Sequence, residues 1–153
     1  MKRGILMWLG MFVVVLAVSS WEANARPEIS VEEQIAEEDR MAELELLAML
    51  VRAEAGSQCA EGKQAVAGVV LNRVDDPRFP NTITEVIYAP KQFSVVNDGA
   101  LARAAWTVDE SDYQAVAKEL EERRYNDALF FRAGHYHEGR TALYRIQGHY
   151  FSR

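Results

Sequence analysis

One cysteine, Cys59, stands in 153 residues, so no internal disulfide can form and packing alone must hold the fold together. A lone thiol of this kind reads as a small buried apolar group rather than a nucleophile. Prolines are few, four in all, which leaves long stretches free for helix. Positive charge is in deficit: 17 Lys and Arg against 23 Asp and Glu give a formal charge of −6. Nucleic acid is thereby disfavoured as a partner, because phosphate-backbone binding rests on clustered cations. Only three histidines occur, His135, His137 and His149. No internal repeat or low-complexity tract is present, and no nucleophile-elbow motif surrounds any serine.

Long apolar runs are confined to the N-terminus. Lys2 and Arg3 precede an apolar run at residues 5–18, and Ala23-Asn24-Ala25 supplies the small-residue pattern after which signal peptidases cut. Residues 1–25 are read as a secretory signal, since the run is short for a membrane span of ~20 residues. Losing that segment removes Lys2, Arg3 and Glu22 and moves the charge from −6 to −7. What remains is enough for one compact core. The expectation is an exported protein, periplasmic or at the cell wall, with no stable membrane partner after cleavage.

Charge is unevenly spread. Residues 26–43 form an acidic arm, most simply a solvated segment that runs into the first core helix, with Ser30 and Glu33 offering a capping box. Residues 129–153 carry four arginines against Glu138 alone, a stretch that faces either an anionic polymer or solvent.

Hydrophobic spacing organises the rest. Leu44, Leu47, Ala48, Val51 and Ala55 recur at helical steps and predict a helix over 41–55, with room to extend back toward Val31. A second helix is expected over 59–73, with Ala65, Val66, Val69 and Val70 inward, and a Gly-Ser turn forces the two to pack as neighbours. Thr82 and Glu85 cap a short helix over 83–88, and Ser111 with Gln114 caps another over 112–124 that turns Tyr113, Val116, Ala117 and Leu120 inward. Asn97-Asp98-Gly99 reads as a turn. Residues 128–133, 143–147 and 149–151 look like short strands. The fold class is α+β: mainly helical, with a small C-terminal antiparallel sheet.

Within the first helix Glu54 is an acid where a leucine belongs. It sits seven after Leu47 and three after Val51, and Gly56 follows as an expected left-handed cap. Burial and the negative end of the helix dipole both disfavour its charge, so its pKa is expected to be raised, as suits a general acid. The plain alternative is a solvated carboxylate, or one paired with Arg52, Lys63 or Arg73. Glu61 is a rival carboxylate explained by the helix N-terminus it occupies, and Asp75 and Asp76 are explained by the turn before Pro77.

The surrounding residues resemble the cell-wall hydrolase family of the SleB and CwlJ type. The elements are R-x-E-A at Arg52 to Ala55, Glu61-Gly62, Ala65 to Ala67, V-x-x-N-R-V ending at Val74, D-x-R-F-P from Asp76 to Pro80, and Q-F-S at Gln92, Phe93 and Ser94, in order and at compatible spacing. The resemblance covers roughly residues 44–153 and implies a lysozyme-like catalytic domain there. It implies peptidoglycan glycan strands as substrate, Glu54 as the catalytic acid, and Asn72 as a residue holding the sugar or the Glu54 loop. Gln92, Phe93 and Ser94 supply amide, aromatic face and hydroxyl, which suit a sugar, although Phe93 reads equally well as core. His149 falls in a G-H-x-F ending that implies a residue supporting the cleft. The implied reaction is cleavage of the MurNAc–GlcNAc β-1,4 bond as a lytic transglycosylase, which needs one Glu as acid and then base, where hydrolysis usually employs two carboxylates. No cofactor is expected. Two other readings stay open: a zinc hydrolase built on the three histidines and Glu138, though their spacing matches no helical zinc motif, and a non-catalytic peptidoglycan-binding envelope protein.

Overall fold

The computed structural model describes residues 29–153. The signal segment and the start of the acidic arm lie outside the described residues. The arm from Val31 onward is no separate element: α1 runs without a break over Val31–Ala55. Nothing between these residues is Gly or Pro, and Glu, Ala, Leu and Met favour helix, so the chain has no reason to stop where its charge pattern changes. Its N-terminal turns are exposed, with Glu32 and Glu33 meeting the positive dipole end, while Leu47, Ala48, Leu50, Val51 and Ala55 are buried. Among the described residues no helix is long and apolar enough to cross a membrane.

α2, Ala60–Asp75, is the central helix, buried continuously from Gly62 to Arg73. It packs against α1 on one side and α6, Glu110–Glu122, on another. Gly68 permits the second approach: a Cβ there would lie 2.9 Å from Tyr125 Cβ and 3.0 Å from the Glu119 carboxylate. Cys59 is the half-buried N-cap of α2, not a core residue, and its backbone N–H donates to Gln147 Oε1 at 2.9 Å. Glu61 is exposed in the first turn.

α3, Ile83–Tyr88, begins at Thr82, whose hydroxyl accepts from Glu85 N at 3.2 Å. Two short helices follow in a region that reads as loop and turn, α4, Ser94–Asn97, and α5, Ala100–Ala104, joined through Gly99 at φ 77°.

α6 departs from its expected register. Asp109 and Asp112 form the capping box, in place of Ser111 and Gln114, and the inward residues are Asp112, Ala115, Val116 and Glu119. Tyr113 and Leu120 are each 39% exposed. Apolar spacing misplaces this helix because two of its buried residues are acids with partners. Asp112 accepts from Arg52 Nε at 2.6 Å and pairs with Lys63 Nζ at 2.8 Å, and Glu119 accepts from Gln64 Nε2 at 3.0 Å and Tyr125 N at 2.9 Å.

The chain ends in a three-stranded antiparallel sheet of β1, Phe130–Ala133, β2, Ala142–Ile146, and β3, His149–Ser152, in the order β1-β3-β2. Phe131 pairs with Phe151 and Ala133 with His149. Phe151 is fully buried, its ring stacked on those of Phe131 and Tyr144, so the sheet closes the helical core. The α+β expectation, mainly helical with a small terminal sheet, describes the chain.

Candidate active site

Glu54 stands in the last turn of α1, where the helix opens onto a cavity of about 380 Å³. Gln92, Phe93 and Ser94 line it from the segment leading into α4, Arg73 from α2, Phe131, Arg132 and Ala133 from β1, and His149 from β3. Residues separated by as much as 95 positions thus meet because α1, α2 and the sheet share one core.

The turn carrying Glu54 is held from behind. Gly56 is not a left-handed cap: it is a glycine because a Cβ would sit 2.6 Å from the Arg52 carbonyl oxygen. Arg52 pairs with Asp109 and Asp112, Lys63 with Asp112, and Arg73 Nε donates to Leu129 O at 2.8 Å. The three cations that sequence offered as partners for Glu54 thus bond to other groups, although Arg73 also lines the cavity. No described residue hydrogen-bonds or ion-pairs with the Glu54 carboxyl. Burial, and after it the nearby Asp98 carboxylate, raise its pKa above the ordinary carboxylate value.

Phe93 belongs to both of its readings. It is 3% exposed in the core and also lines the cavity, with its ring 6.4 Å from that of Phe131 and 5.0 Å from the Arg73 guanidinium. Gln92 and Ser94 flank it with exposed polar groups. His149 is 8% exposed, burial lowers its pKa, and its Nδ1 has no hydrogen-bond partner among the described residues. The ring is thus a neutral imidazole with an unmet polar atom.

Asn72 is not at this site. Its amide donates to Tyr125 O at 2.7 Å and Ala128 O at 2.8 Å, tying the α6–β1 connection to α2, and it lines a different depression with Asp75, Asp76 and Arg123. The part of the expectation that survives is structural.

Arg73 is the residue that sequence reasoning undervalued. It meets a backbone carbonyl, as a basic residue near a helix end should, but it is also 4% exposed, surrounded by Phe79, Phe93 and Phe130 at 5.0–5.4 Å, and left with Nη1 unpartnered. Burial, with Arg140 nearby, brings its pKa down to about 10, so it stays charged at neutral pH. Its place seven after Val66 and four after Val69, on the apolar stripe of α2, was the available signal. Phe131, Arg132 and Ala133 carried no signal beyond strand propensity.

The histidines do not converge. His137 Nδ1 lies 3.4 Å from Ser152 Oγ, His135 is exposed, and among the described residues no three of His, Cys, Asp and Glu are placed to hold a metal ion.

A half-buried acid without a counter-ion, set in a cavity of amide, hydroxyl, aromatic and guanidinium groups, is an arrangement suited to proton transfer on a polar substrate. The chain belongs to the cell wall hydrolase family, which it matches over residues 57–152. The match begins three residues after Glu54. The chain is 42% identical over 59 residues to the spore cortex-lytic enzyme of Bacillus subtilis, covering 39% of this chain and 19% of that one. It is 34% identical over 83 residues to the enzyme of the same name from Oceanobacillus iheyensis, covering 54% and 29%. The chain thus spans less than a third of these curated relatives. Two solved structures, both 29% identical, resemble it over more than nine-tenths of their length. The catalytic domain of the germination-specific lytic transglycosylase SleB from Bacillus anthracis superposes with a TM-score of 0.62 over 72% of this chain and 93% of that one. The catalytic domain of the Bacillus cereus SleB protein gives 0.64 over 74% and 91%.

Proposed function

We propose that this chain cleaves peptidoglycan glycan strands at the MurNAc–GlcNAc β-1,4 bond as a lytic transglycosylase, with Glu54 as acid and then base. Glu54, whose pKa is raised by burial, gives its proton to the glycosidic oxygen as the bond from C1 breaks. The resulting carboxylate then takes the proton of the muramic acid 6-hydroxyl while O6 bonds to C1 and closes a 1,6-anhydro ring. No water is consumed, and Glu54 ends protonated again.

The observation that carries this reading is that, among the described residues, Glu54 is the one carboxylate lining the cavity. Asp98, the next acid, is exposed and its Oδ1 accepts from Ala100 N at 2.8 Å. Hydrolysis calls for a second carboxylate to activate water or act as nucleophile, and transglycosylation does not. The likeness to a lytic transglycosylase catalytic domain supports the same choice. Gln92, Ser94 and the unpartnered nitrogens of Arg73 and His149 are the groups that meet sugar hydroxyl and acetamido groups, with the face of Phe93 beneath.

This substrate lies outside the cytoplasmic membrane, so the protein works there, and the leader at residues 1–25 is the export signal that takes it to the periplasm or wall. Mass spectrometry of products from purified sacculi tests the mechanism. Anhydro-muramic ends, lighter by one water than reducing ends, are expected. Reducing ends alone would replace transglycosylation with hydrolysis, and absence of any cleavage would leave the binding-protein reading.

A further inference from the structure

The β1 strand meets the cavity in an unusual way. Successive side chains of a strand point to opposite faces, yet three consecutive residues, Phe131, Arg132 and Ala133, all line it. A cavity touches three in a row only where it meets the edge of the strand. β1 is an edge strand, since β3 is its only partner in the sheet. Before the strand, Leu129 O is taken by Arg73, but the backbone groups of residues 130–133 bond to nothing outside β3 among the described residues. Arg132, exposed at this edge, makes no hydrogen bond or ion pair with any described residue. A free strand edge with an unpaired cation at its middle is a docking edge for an extended peptide bearing a carboxylate.

We propose that the open edge of β1 is a subsite for the stem peptide that hangs from muramic acid: the peptide lies along the edge, exchanging main-chain hydrogen bonds with residues 131–133, and Arg132 pairs with one of its carboxylates. The proposal rests on the glycan-cleaving reading above and makes the preferred substrate peptide-bearing strands. Sugar alone leaves this edge and this cation unused.

The test compares cleavage by the full chain of strands carrying tetrapeptides with the same strands stripped by an amidase. A single charge-assisted hydrogen bond is worth about 10- to 100-fold. Wild type is expected to favour peptide-bearing strands by at least about tenfold in kcat/KM, and Arg132→Glu to bring that ratio close to one. Amide chemical shifts of residues 130–133 should move on titration with N-acetylmuramyl tetrapeptide by clearly more than with N-acetylglucosamine oligomers, which reach these residues only through the shared cavity, and equal shifts would overturn the subsite. Equal cleavage of both strand types by wild type, or an unchanged ratio in the variant, overturns the subsite. Should neither strand be cleaved, the catalytic reading fails, and the titration alone then decides whether the edge binds peptide.

Discussion

Arg52 Nε donates to Asp112 Oδ2 at 2.6 Å across the α1–α6 contact, although Glu54 is only two residues away from it on the same helix. That partnership keeps the guanidinium off the acid and fixes the turn bearing Glu54 to a helix formed sixty residues later. Asp112 is fully buried and holds Lys63 as well. Removing one partner strands buried charge, so Asp112→Ala is expected to lower unfolding free energy by about 3–5 kcal/mol. Urea denaturation reads this directly, and a loss below about 1 kcal/mol would show that the pair is solvent-screened.

Asn72 provides a separation of roles. Its amide supports two backbone carbonyls, and Arg123 donates to its Oδ1 at 3.2 Å. Asn72→Ala leaves two buried acceptors unmet and should cost about 2–4 kcal/mol of stability. At a temperature where the variant is folded its KM for sacculi should match wild type. A raised KM with unchanged stability would put Asn72 back among the substrate contacts.

Glu54, Asn72 and Arg73 show what the chain reveals before it folds. Glu54 is conspicuous because one acid interrupts an apolar helical stripe, and the helices and strands follow from spacing and turn residues. Asn72 and Arg73 are legible as important but not as to role, because a buried polar side chain is defined by its partner, and theirs lie more than fifty residues away at Tyr125, Ala128 and Leu129. The turned face of α6 has the same origin: Asp112 and Glu119 are acids by sequence and core residues by contact. The β1 edge is invisible for a different reason, since strand order is a property of the sheet and not of the strand.

Asp98 sits where it disfavours the charged form of Glu54, second only to burial in raising its pKa. A general acid loses activity as pH rises through its pKa. Asp98→Asn keeps an oxygen for the Ala100 N–H but removes the charge, so the alkaline limb of the kcat profile should move to lower pH with the low-pH plateau retained. Added salt should reproduce part of the shift in wild type, Asp98 being exposed. A limb that stays in place would assign the titration to another group.

Activity should be indifferent to EDTA. The proposed proton chemistry rests on Glu54 alone, and no described cluster of His, Cys, Asp and Glu is placed to hold a metal ion. Loss of cleavage on chelation, restored by zinc, would revive the histidine-centred hydrolase. The same measurement made on His137→Ala, a residue away from the cavity, would say whether that histidine takes part.

Glu54→Gln separates chemistry from folding most sharply. The amide keeps the shape and cannot donate and recover a proton, so turnover should fall by ~10²–10⁴-fold or more while glycan binding persists. Stability should move the other way, and with a particular pH dependence. Because the folded-state pKa of Glu54 is raised, wild type keeps its full stability only below the ordinary carboxylate pKa and loses some as pH climbs through the raised value, whereas glutamine loses nothing. The variant should therefore match wild type near pH 4 and be the more stable of the two by pH 8, seen as diverging Tm values. Parallel Tm curves at all pH values would mean that Glu54 titrates as if in water, and the reason for placing the proton on it would be gone.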